Sequence, residues 1–199
     1  MICAVVLAAG HSKRMGRQKL LLPLGDGPVI AKVVDELLLS PVQRVLVVVS
    51  RDGGKIKQAL PNRDVTFVPN PNPEGDMLSS VRCGLRALPE KSTAVLVALG
   101  DQPAIHHELI GELIRAFRKH EGGIIVPMYE GRRGHPMLFA SRFREEVLTR
   151  YDGVGLHGLL DAHQEGLFKV PVSTGSVLED MDTPEDYERQ KTRVSMHGT

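Results

Sequence analysis

The chain has 199 residues, of which 42% are hydrophobic and 25% charged, so we expect one soluble domain with a buried core. The 25 lysines and arginines nearly balance the 24 aspartates and glutamates, and aromatic residues make up only 4%. This composition argues against a nucleic-acid-binding face, and no apolar run reaches the roughly 18 residues of a membrane span. Two cysteines, Cys3 and Cys83, are too few for a disulfide scaffold, so we expect a reducing, cytoplasmic compartment.

Short valine-rich runs alternate with amphipathic stretches along the chain. The runs have the composition of strands buried on both faces, and they cover residues 2–7, 45–49, 65–68, 94–99, 124–126 and 168–172. The stretches have helical periodicity, and they cover residues 29–39, 77–88 and 106–120. The alternation predicts an α/β sandwich with a mainly parallel sheet.

Two segments depart from this alternation. Residues 129–140 contain Glu130-Gly131-Arg132-Arg133-Gly134, which is typical of a turn between two short extended pieces. We therefore predict a small antiparallel insertion there. Residues 191–199 are polar, and we expect this tail to fray.

The loop after the first predicted strand has the composition of an anion site. It reads Ala8-Ala9-Gly10-His11-Ser12-Lys13-Arg14-Met15-Gly16. Small residues let the backbone approach a ligand, and successive N–H groups in such a loop bind anions. Positive charge from Lys13, Arg14 and Lys19 suits a polyphosphate. The spacing is neither that of a Walker A loop nor Gly-x-Gly-x-x-Gly, so a solvated surface loop explains the same residues about equally well.

Two acidic positions are candidates for a magnesium site. Asp101 follows the apolar run 94–99, and ligands of open α/β sheets lie beyond the carboxyl ends of strands. A carboxylate there can bind Mg²⁺ through one oxygen while phosphates fill other positions. Asp182 is the second candidate, directly before a predicted helix that Thr183 would cap and Pro184 would begin. Alternatively, the acidic residues of this segment serve only the helix N-terminus.

Other catalytic patterns are absent or incomplete. The sequence has no Gly-x-Ser-x-Gly elbow, and His106-His107-Glu108 lacks the second histidine that a zincin helix needs. These two histidines are expected to be solvated residues at a helix start. His135, within Gly134-His135-Pro136, is either a ligand contact or only a turn residue.

Five ordered segments resemble one family. The loop resembles the signature of the MobA-like nucleotidyltransferases, and most closely of the molybdenum cofactor cytidylyltransferases, in Leu7-Ala8-Ala9-Gly10-x-Ser12-x-Arg14-Met15-Gly16-x-x-Lys19-x-Leu21-Leu22-Pro23-Leu24. The other matches are Gly75-x-Met77-x-Ser79-Ser80-Val81-Arg82-x-Gly84-Leu85, Gly100-Asp101-Gln102-Pro103, Gly134-His135-Pro136 and Asp180-x-Asp182-Thr183-Pro184-Glu185-Asp186.

The resemblance implies a fold and a reaction. The fold is a Rossmann-like three-layer α/β/α sandwich of the nucleotide-diphospho-sugar transferase type, forming a single nucleotidyltransferase domain over residues 1–190. The reaction is transfer of CMP from CTP to the terminal phosphate of molybdopterin, the molybdenum cofactor, with Mg²⁺ and release of pyrophosphate. The product implies a transient molybdoenzyme partner. A phosphate acceptor is largely dianionic at neutral pH, so it needs little help from a general base.

The resemblance also implies roles for individual residues. Asp101 and Asp182 would hold Mg²⁺, and His135 and His157 would face the acceptor. Arg14, Lys19 and Asp101 would be catalytic, through positioning and charge neutralisation. The nucleotide-binding set would be Leu7, Ala8, Ala9, Gly10, Ser12, Arg14, Lys19, Ser79, Ser80 and Asp101.

One departure from the family pattern leaves the acceptor open. The family often has Gly-Asp-x-Gly-Ala-Arg where this chain has Tyr151-Asp152-Gly153-Val154-Gly155-Leu156-His157. Neutral His157 cannot replace an arginine as an anion contact, so that contact is lost or depends on pH. Other phosphorylated acceptors and a non-catalytic carrier of the mature cofactor therefore remain alternatives. A dinucleotide oxidoreductase is disfavoured, because Gly-x-Gly-x-x-Gly is missing.

Overall fold

The computed structural model describes residues 1–10, 18–51, 53–72, 75–120 and 123–197. In these ranges the strands are β1 (Ile2–Ala8), β2 (Pro23–Leu24), β3 (Gly27–Pro28), β4 (Arg44–Ser50), β5 (Val65–Asn70), β6 (Ala94–Leu99), β7 (Ile124–Tyr129), β8 (Arg132–Arg133), β9 (Met137–Ala140) and β10 (Leu167–Pro171). The helices are α1 (Val29–Leu39), α2 (Gly54–Gln58), α3 (Met77–Arg86), α4 (His107–Lys119), α5 (Arg144–Thr149), α6 (Leu156–Ala162) and α7 (Pro184–His197).

The strands of the described ranges form one large sheet and one hairpin. The large sheet has eight strands in the order β10-β7-β9-β6-β1-β4-β5, with β8 paired to β7, and β2 pairs with β3 in the hairpin. Strands β5, β4, β1 and β6 are parallel neighbours, and β10 is parallel to β7. All six residues of β6 are buried, as expected for a strand covered on both faces. The predicted α/β fold with a mainly parallel sheet is confirmed.

Helices cover this sheet in two groups. Helix α1 packs on β1 and β4 and also contacts α4, which packs on β7, β9 and β10. Helix α3 packs on β1, β4 and β5 and contacts α5. In the described ranges, no helix is both long enough and apolar enough to cross a membrane.

The predicted antiparallel insertion is confirmed, and it lies within the sheet. Strand β8 pairs antiparallel with β7, whereas β9 lies antiparallel between β6 and β7. In this register Met137 pairs with Val97 and Ala140 pairs with Ala94. Because β9 runs against β6, its first residue lies near the carboxyl end of β6. His135, two residues earlier, is thereby brought to the same edge of the sheet as Asp101.

Part of the tail that we expect to fray, residues 191–199, belongs to helix α7. Helix α7 continues to His197. Arg193 forms an ion pair with Glu179, with a distance of 2.9 Å between Nη2 and Oε1. Val194 packs against a small apolar cluster that includes Leu24 and Met181. These contacts with distant parts of the chain hold the last turns of α7.

Candidate functional site

Lys19, Asp101 and Asp182 meet at the carboxyl edge of the sheet. The Lys19 ammonium donates one hydrogen bond to Asp101 Oδ2 and another to Asp182 Oδ1, the second at 2.7 Å. The exposed fractions of the three side chains are 14%, 17% and 34%. Burial opposes the charged form of Lys19, but the charge of Asp101 and the hydrogen bonds to both carboxylates outweigh it and raise the pKa of Lys19.

Gly100 is what allows Asp101 to lie against the end of β1. The Gly100 N–H donates to the Leu7 carbonyl over 3.1 Å, which continues the pairing of β6 with β1. A Cβ at position 100 would lie 2.8 Å from that carbonyl oxygen, closer than real side chains come. Glycine is therefore required, and Asp101 follows it directly at the end of β1.

A second set of bonds joins the segment of Asp101 to that of Asp182. The Met181 N–H donates to the Asp101 carbonyl over 3.1 Å. The Gln102 side chain, whose residue is only 2% exposed, donates from Nε2 to Asp180 Oδ1 over 2.8 Å. Partial burial, and then the charge of Asp101, raise the pKa of Asp180. Sequence reasoning missed this role of Gln102, and the only signal was its position directly after Asp101.

The start of α7 forms as predicted, and its capping carboxylate, Asp186 Oδ2, also accepts the Asp182 N–H over 3.1 Å. The Asp186 N–H donates to Thr183 Oγ1 over 3.2 Å, and the Thr183 N–H donates to Asp186 Oδ2 over 2.8 Å. This reciprocal pair is a capping box. The Asp182 carboxylate accepts from Lys19 over 2.7 Å and thus has a partner outside the helix start, while its role as a metal ligand stays a prediction.

Ser79 and Ser80 lie in the first turn of α3. Asp76 caps this helix as its spacing suggests, accepting the Ser79 N–H over 2.8 Å. Asn70, at the end of β5 and 3% exposed, donates from Nδ2 to both serine hydroxyls over 3.1 Å. The Ser80 hydroxyl is thus buried against Asn70, whereas Ser79 is half-buried. Asn70 was not predicted; a polar residue ending an apolar strand is the signal that could have identified it.

The first loop is described only at its start. Leu7 is half-buried and Ala8 is 4% exposed, and both still belong to β1. Ala9 is half-buried against the core, and Gly10 is exposed. Ser12 and Arg14 lie outside the described residues.

His135 is held at the edge of the site by a backbone hydrogen bond to a segment far away in the sequence. Its N–H donates to the Val177 carbonyl over 2.9 Å, and a Cβ on Gly134 would overlap that same carbonyl. The ring Nδ1 is buried and has no hydrogen-bond partner within the described part of the chain. Burial, and then the charge of His157, lower the pKa of His135. His157 is an exposed residue of α6.

Arg82 joins α3 to the loop that precedes α6. Its guanidinium donates to the carbonyls of Val147 and Arg150 over 3.0 and 2.7 Å, and to Asp152 Oδ1 over 2.6 Å. These bonds fix the segment that leads to His157. Sequence reasoning missed Arg82, because its partners are separated from it by 65 to 70 residues.

A separate cluster lies between α1 and α4. Ligand atoms of Glu36, His107 and Glu108 lie within 4.8 Å of one another. Glu36 accepts the backbone N–H of His107 over 2.8 Å, and its oxygens also contact the rings of His106 and His107. Glu36 thereby caps α4 from another helix. The expectation that His106 and His107 are solvated helix-start residues fits their side chains, which are 57% and 40% exposed.

This cluster predicts a pH-dependent loss of stability in Glu36→Gln. Hydrogen bonding to Glu36 raises the pKa of His107, so the ring's contribution is complete below 6.5 and is lost as the pH rises through the raised pKa. Burial opposes the ionised form of Glu36, but bonds from His107 lower its pKa, so its contribution is lost as the pH falls below 4.5. Glutamine keeps the acceptor for the N–H and loses the charge. We expect the fall in Tm relative to the native chain to be larger at pH 6 than at pH 9, and an equal fall would contradict the pairing.

The chain is similar to known proteins over most of its length. A family model described as a MobA-like NTP transferase domain matches residues 4–166. The molybdenum cofactor cytidylyltransferase of Escherichia coli strain K12 is 23% identical over 98% of this chain and 97% of its own length. The molybdenum cofactor guanylyltransferase of Mesorhizobium japonicum is 34% identical over 68% of this chain and 64% of its own length. The nicotine blue oxidoreductase of Paenarthrobacter nicotinovorans is 28% identical over 94% and 95% of the two lengths.

Solved structures show the same fold. The crystal structure of Rv0371c from Mycobacterium tuberculosis H37Rv matches with a TM-score of 0.86 and 25% identity, over 96% of this chain and 97% of that chain. A manganese complex of Rv0371c matches with a TM-score of 0.80 and 24% identity, over 96% and 98% of the two chains. With the family model spanning most of its length, the chain belongs to the MobA-like NTP transferase family.

Proposed function

We propose that the chain transfers CMP from CTP to the terminal phosphate of molybdopterin, the molybdenum cofactor, and releases pyrophosphate. One observation supports this above the others: two carboxylates and a lysine converge where β1 and β6 end, and in the sequence β1 is followed by a loop rich in small residues. Polyphosphate chemistry requires cations and a close backbone at one place. Relatives named for cytidylyl and guanylyl transfer to the cofactor agree with this class of reaction.

The donor set fits Mg²⁺. Asp101 and Asp182 offer carboxylate oxygens to the same point, and hard oxygen ligands are those that Mg²⁺ and Mn²⁺ prefer. A divalent cation is also consistent with the manganese complex of a structural relative. When bound, the cation would supply charge neutralisation at the phosphates.

The chain's own residues would bind and position the nucleotide. Lys19 would neutralise the triphosphate together with Arg14, and Ala8 to Gly10 with Ser12 would present backbone N–H groups to it. Leu7 would support this loop, and Ser79, with Ser80 behind it, would face the nucleoside. The acceptor phosphate attacks as a dianion, so no protein base needs to remove a proton.

His135 and His157 would contact the acceptor. Among the described residues, none pairs with the buried Nδ1 of His135, which lies at the same edge of the sheet as Asp101, and an unpaired buried group costs free energy until a ligand satisfies it. Its lowered pKa keeps the ring neutral near pH 7, so the contact would be a hydrogen bond rather than an ion pair. This suits a polar group of the acceptor beside its phosphate.

Lys19→Ala should weaken nucleotide use. Loss of a charge-assisted contact costs about 1.5–3 kcal/mol, which corresponds to roughly 10- to 150-fold in kcat/KM for CTP. Steady-state pyrophosphate release measures this, with Lys191→Ala, a change on the exposed face of α7, as the matched control. An unchanged kcat/KM for Lys19→Ala would mean that Lys19 does not assist the nucleotide, and it would favour the alternative in which the loop is only a solvated surface segment.

Two alternative functions can be tested with the same purified protein. A carrier of the mature cofactor would bind it without releasing pyrophosphate, and an oxidoreductase, as one relative is named, would bind a dinucleotide. A thermal-shift screen of CTP, GTP, NADH and NADPH with and without Mg²⁺ tests the oxidoreductase, because a ligand of the native state raises stability by RT ln(1 + [L]/Kd), so a tighter ligand gives a larger shift. We expect CTP with Mg²⁺ to give the largest shift. A larger shift with a dinucleotide would favour the oxidoreductase.

A further inference from the structure

The position of Lys19 has a consequence for metal binding that rests on the proposed function. Its ammonium is bonded to both carboxylates proposed as ligands, at 2.7 Å from Asp182 Oδ1. A magnesium ion binds carboxylate oxygens at about 2.0–2.1 Å. The ammonium and such an ion would therefore compete for the same oxygens, Asp101 Oδ2 and Asp182 Oδ1.

The charges lead to the same competition. A divalent cation carries twice the charge of one ammonium, so it is the stronger counter-charge for two carboxylates. The cation must nevertheless displace a half-buried lysine from two charge-assisted hydrogen bonds. The anionic triphosphate offers that lysine a replacement partner, which the metal alone does not.

We propose that Lys19 is an internal counter-ion that occupies the metal position until a polyphosphate draws it away. Metal alone then binds weakly, and metal and nucleotide enter together. The triphosphate supplies new ligands to the cation and a new partner to Lys19 in the same step. Bare metal would be kept out of the site between turnovers.

Direct titration with Mn²⁺ tests this without nucleotide or acceptor, by following the electron paramagnetic resonance signal of the free ion. In Lys19→Met the carboxylates lose their internal cation, and we expect the Kd for Mn²⁺ to fall by about tenfold or more, the equivalent of one charge-assisted hydrogen bond. Lys19→Arg keeps the charge and should bind Mn²⁺ as weakly as the native chain. Lys191→Met, on α7, is the matched control and should also leave the Kd unchanged.

The double variant Lys19→Met/Asp101→Asn locates the effect. The gain in Mn²⁺ affinity should disappear in it, because one carboxylate ligand is removed. An unchanged or weaker Kd in Lys19→Met, or a gain that survives the second change, would overturn the proposal. Far-UV circular dichroism of each variant shows that the compared chains are folded. Since no substrate is present, this result is independent of whether the chain transfers CMP, which pyrophosphate release measures separately.

Discussion

Asp101→Ala should lower kcat for pyrophosphate release by about 10³-fold or more while the chain remains folded. Neutralisation of developing phosphate charge by a bound cation contributes several kcal/mol, and about 4 kcal/mol corresponds to 10³ in rate. The carboxylate contacts Lys19, whereas the backbone bonds of this segment, from Gly100 to Leu7 and from Met181 to the Asp101 carbonyl, do not require it. The loss should therefore be catalytic rather than structural.

The matched control is Asp64→Ala, which removes an exposed carboxylate from the segment before β5. It should keep native kcat and Tm. Thermal unfolding of Asp101→Ala followed by circular dichroism should show a cooperative transition like that of the control. Near-native pyrophosphate release by folded Asp101→Ala, at saturating CTP and Mg²⁺, would show that this carboxylate does not hold the metal.

CTP should be preferred over GTP by roughly 10- to 200-fold in kcat/KM, the range that steric discrimination of about 1–3 kcal/mol gives. Members of the family that use GTP usually carry Leu-Ala-Gly-Gly where this chain has Leu7-Ala8-Ala9-Gly10. Ala9 is half-buried at the end of β1, and its methyl group restricts the backbone conformations of the loop. A larger purine base against this edge should be penalised.

Ala9→Gly tests the cause of this preference. If the methyl group selects the base, the ratio of kcat/KM for CTP to that for GTP should fall toward one, chiefly through a gain with GTP. Ala4→Gly, a buried position earlier in β1, controls for a general loosening of the strand. A ratio that stays high in Ala9→Gly would mean that Ala9 only packs against the core, and a native enzyme that uses GTP as well as CTP would contradict the preference itself.

Most elements of the fold are readable in the sequence because their signals are local. Helix α1 begins and ends at the predicted residues, since Pro28 precedes it and its apolar positions share one face. Strand β7 is longer than predicted: residues 127–129 pair with β8 and β10, which an apolar-run criterion does not see. The insertion of β9 between β6 and β7 is a matter of long-range pairing, so the sequence indicated an antiparallel piece but not its position in the sheet.

The same distinction applies to the site. Asp101 and Asp182 could be predicted because each follows or precedes a recognisable element. Their contact through Lys19 could not, because the bond from Lys19 to Asp182 joins residues 163 positions apart. The partners of Asn70 and Arg82 were missed for a related reason: a polar residue at a strand end or on a helix can be recognised locally, but the sequence does not show what its side chain binds.

The most direct test of the account is to incubate the chain with molybdopterin cofactor, CTP and Mg²⁺ and to measure pyrophosphate together with the mass of the cofactor product. We expect one pyrophosphate for each cofactor converted, a product heavier by one cytidylyl group, and neither of these in Asp101→Ala. Cofactor that binds tightly but keeps its mass, with no pyrophosphate released, would contradict CMP transfer and would identify the chain as a carrier.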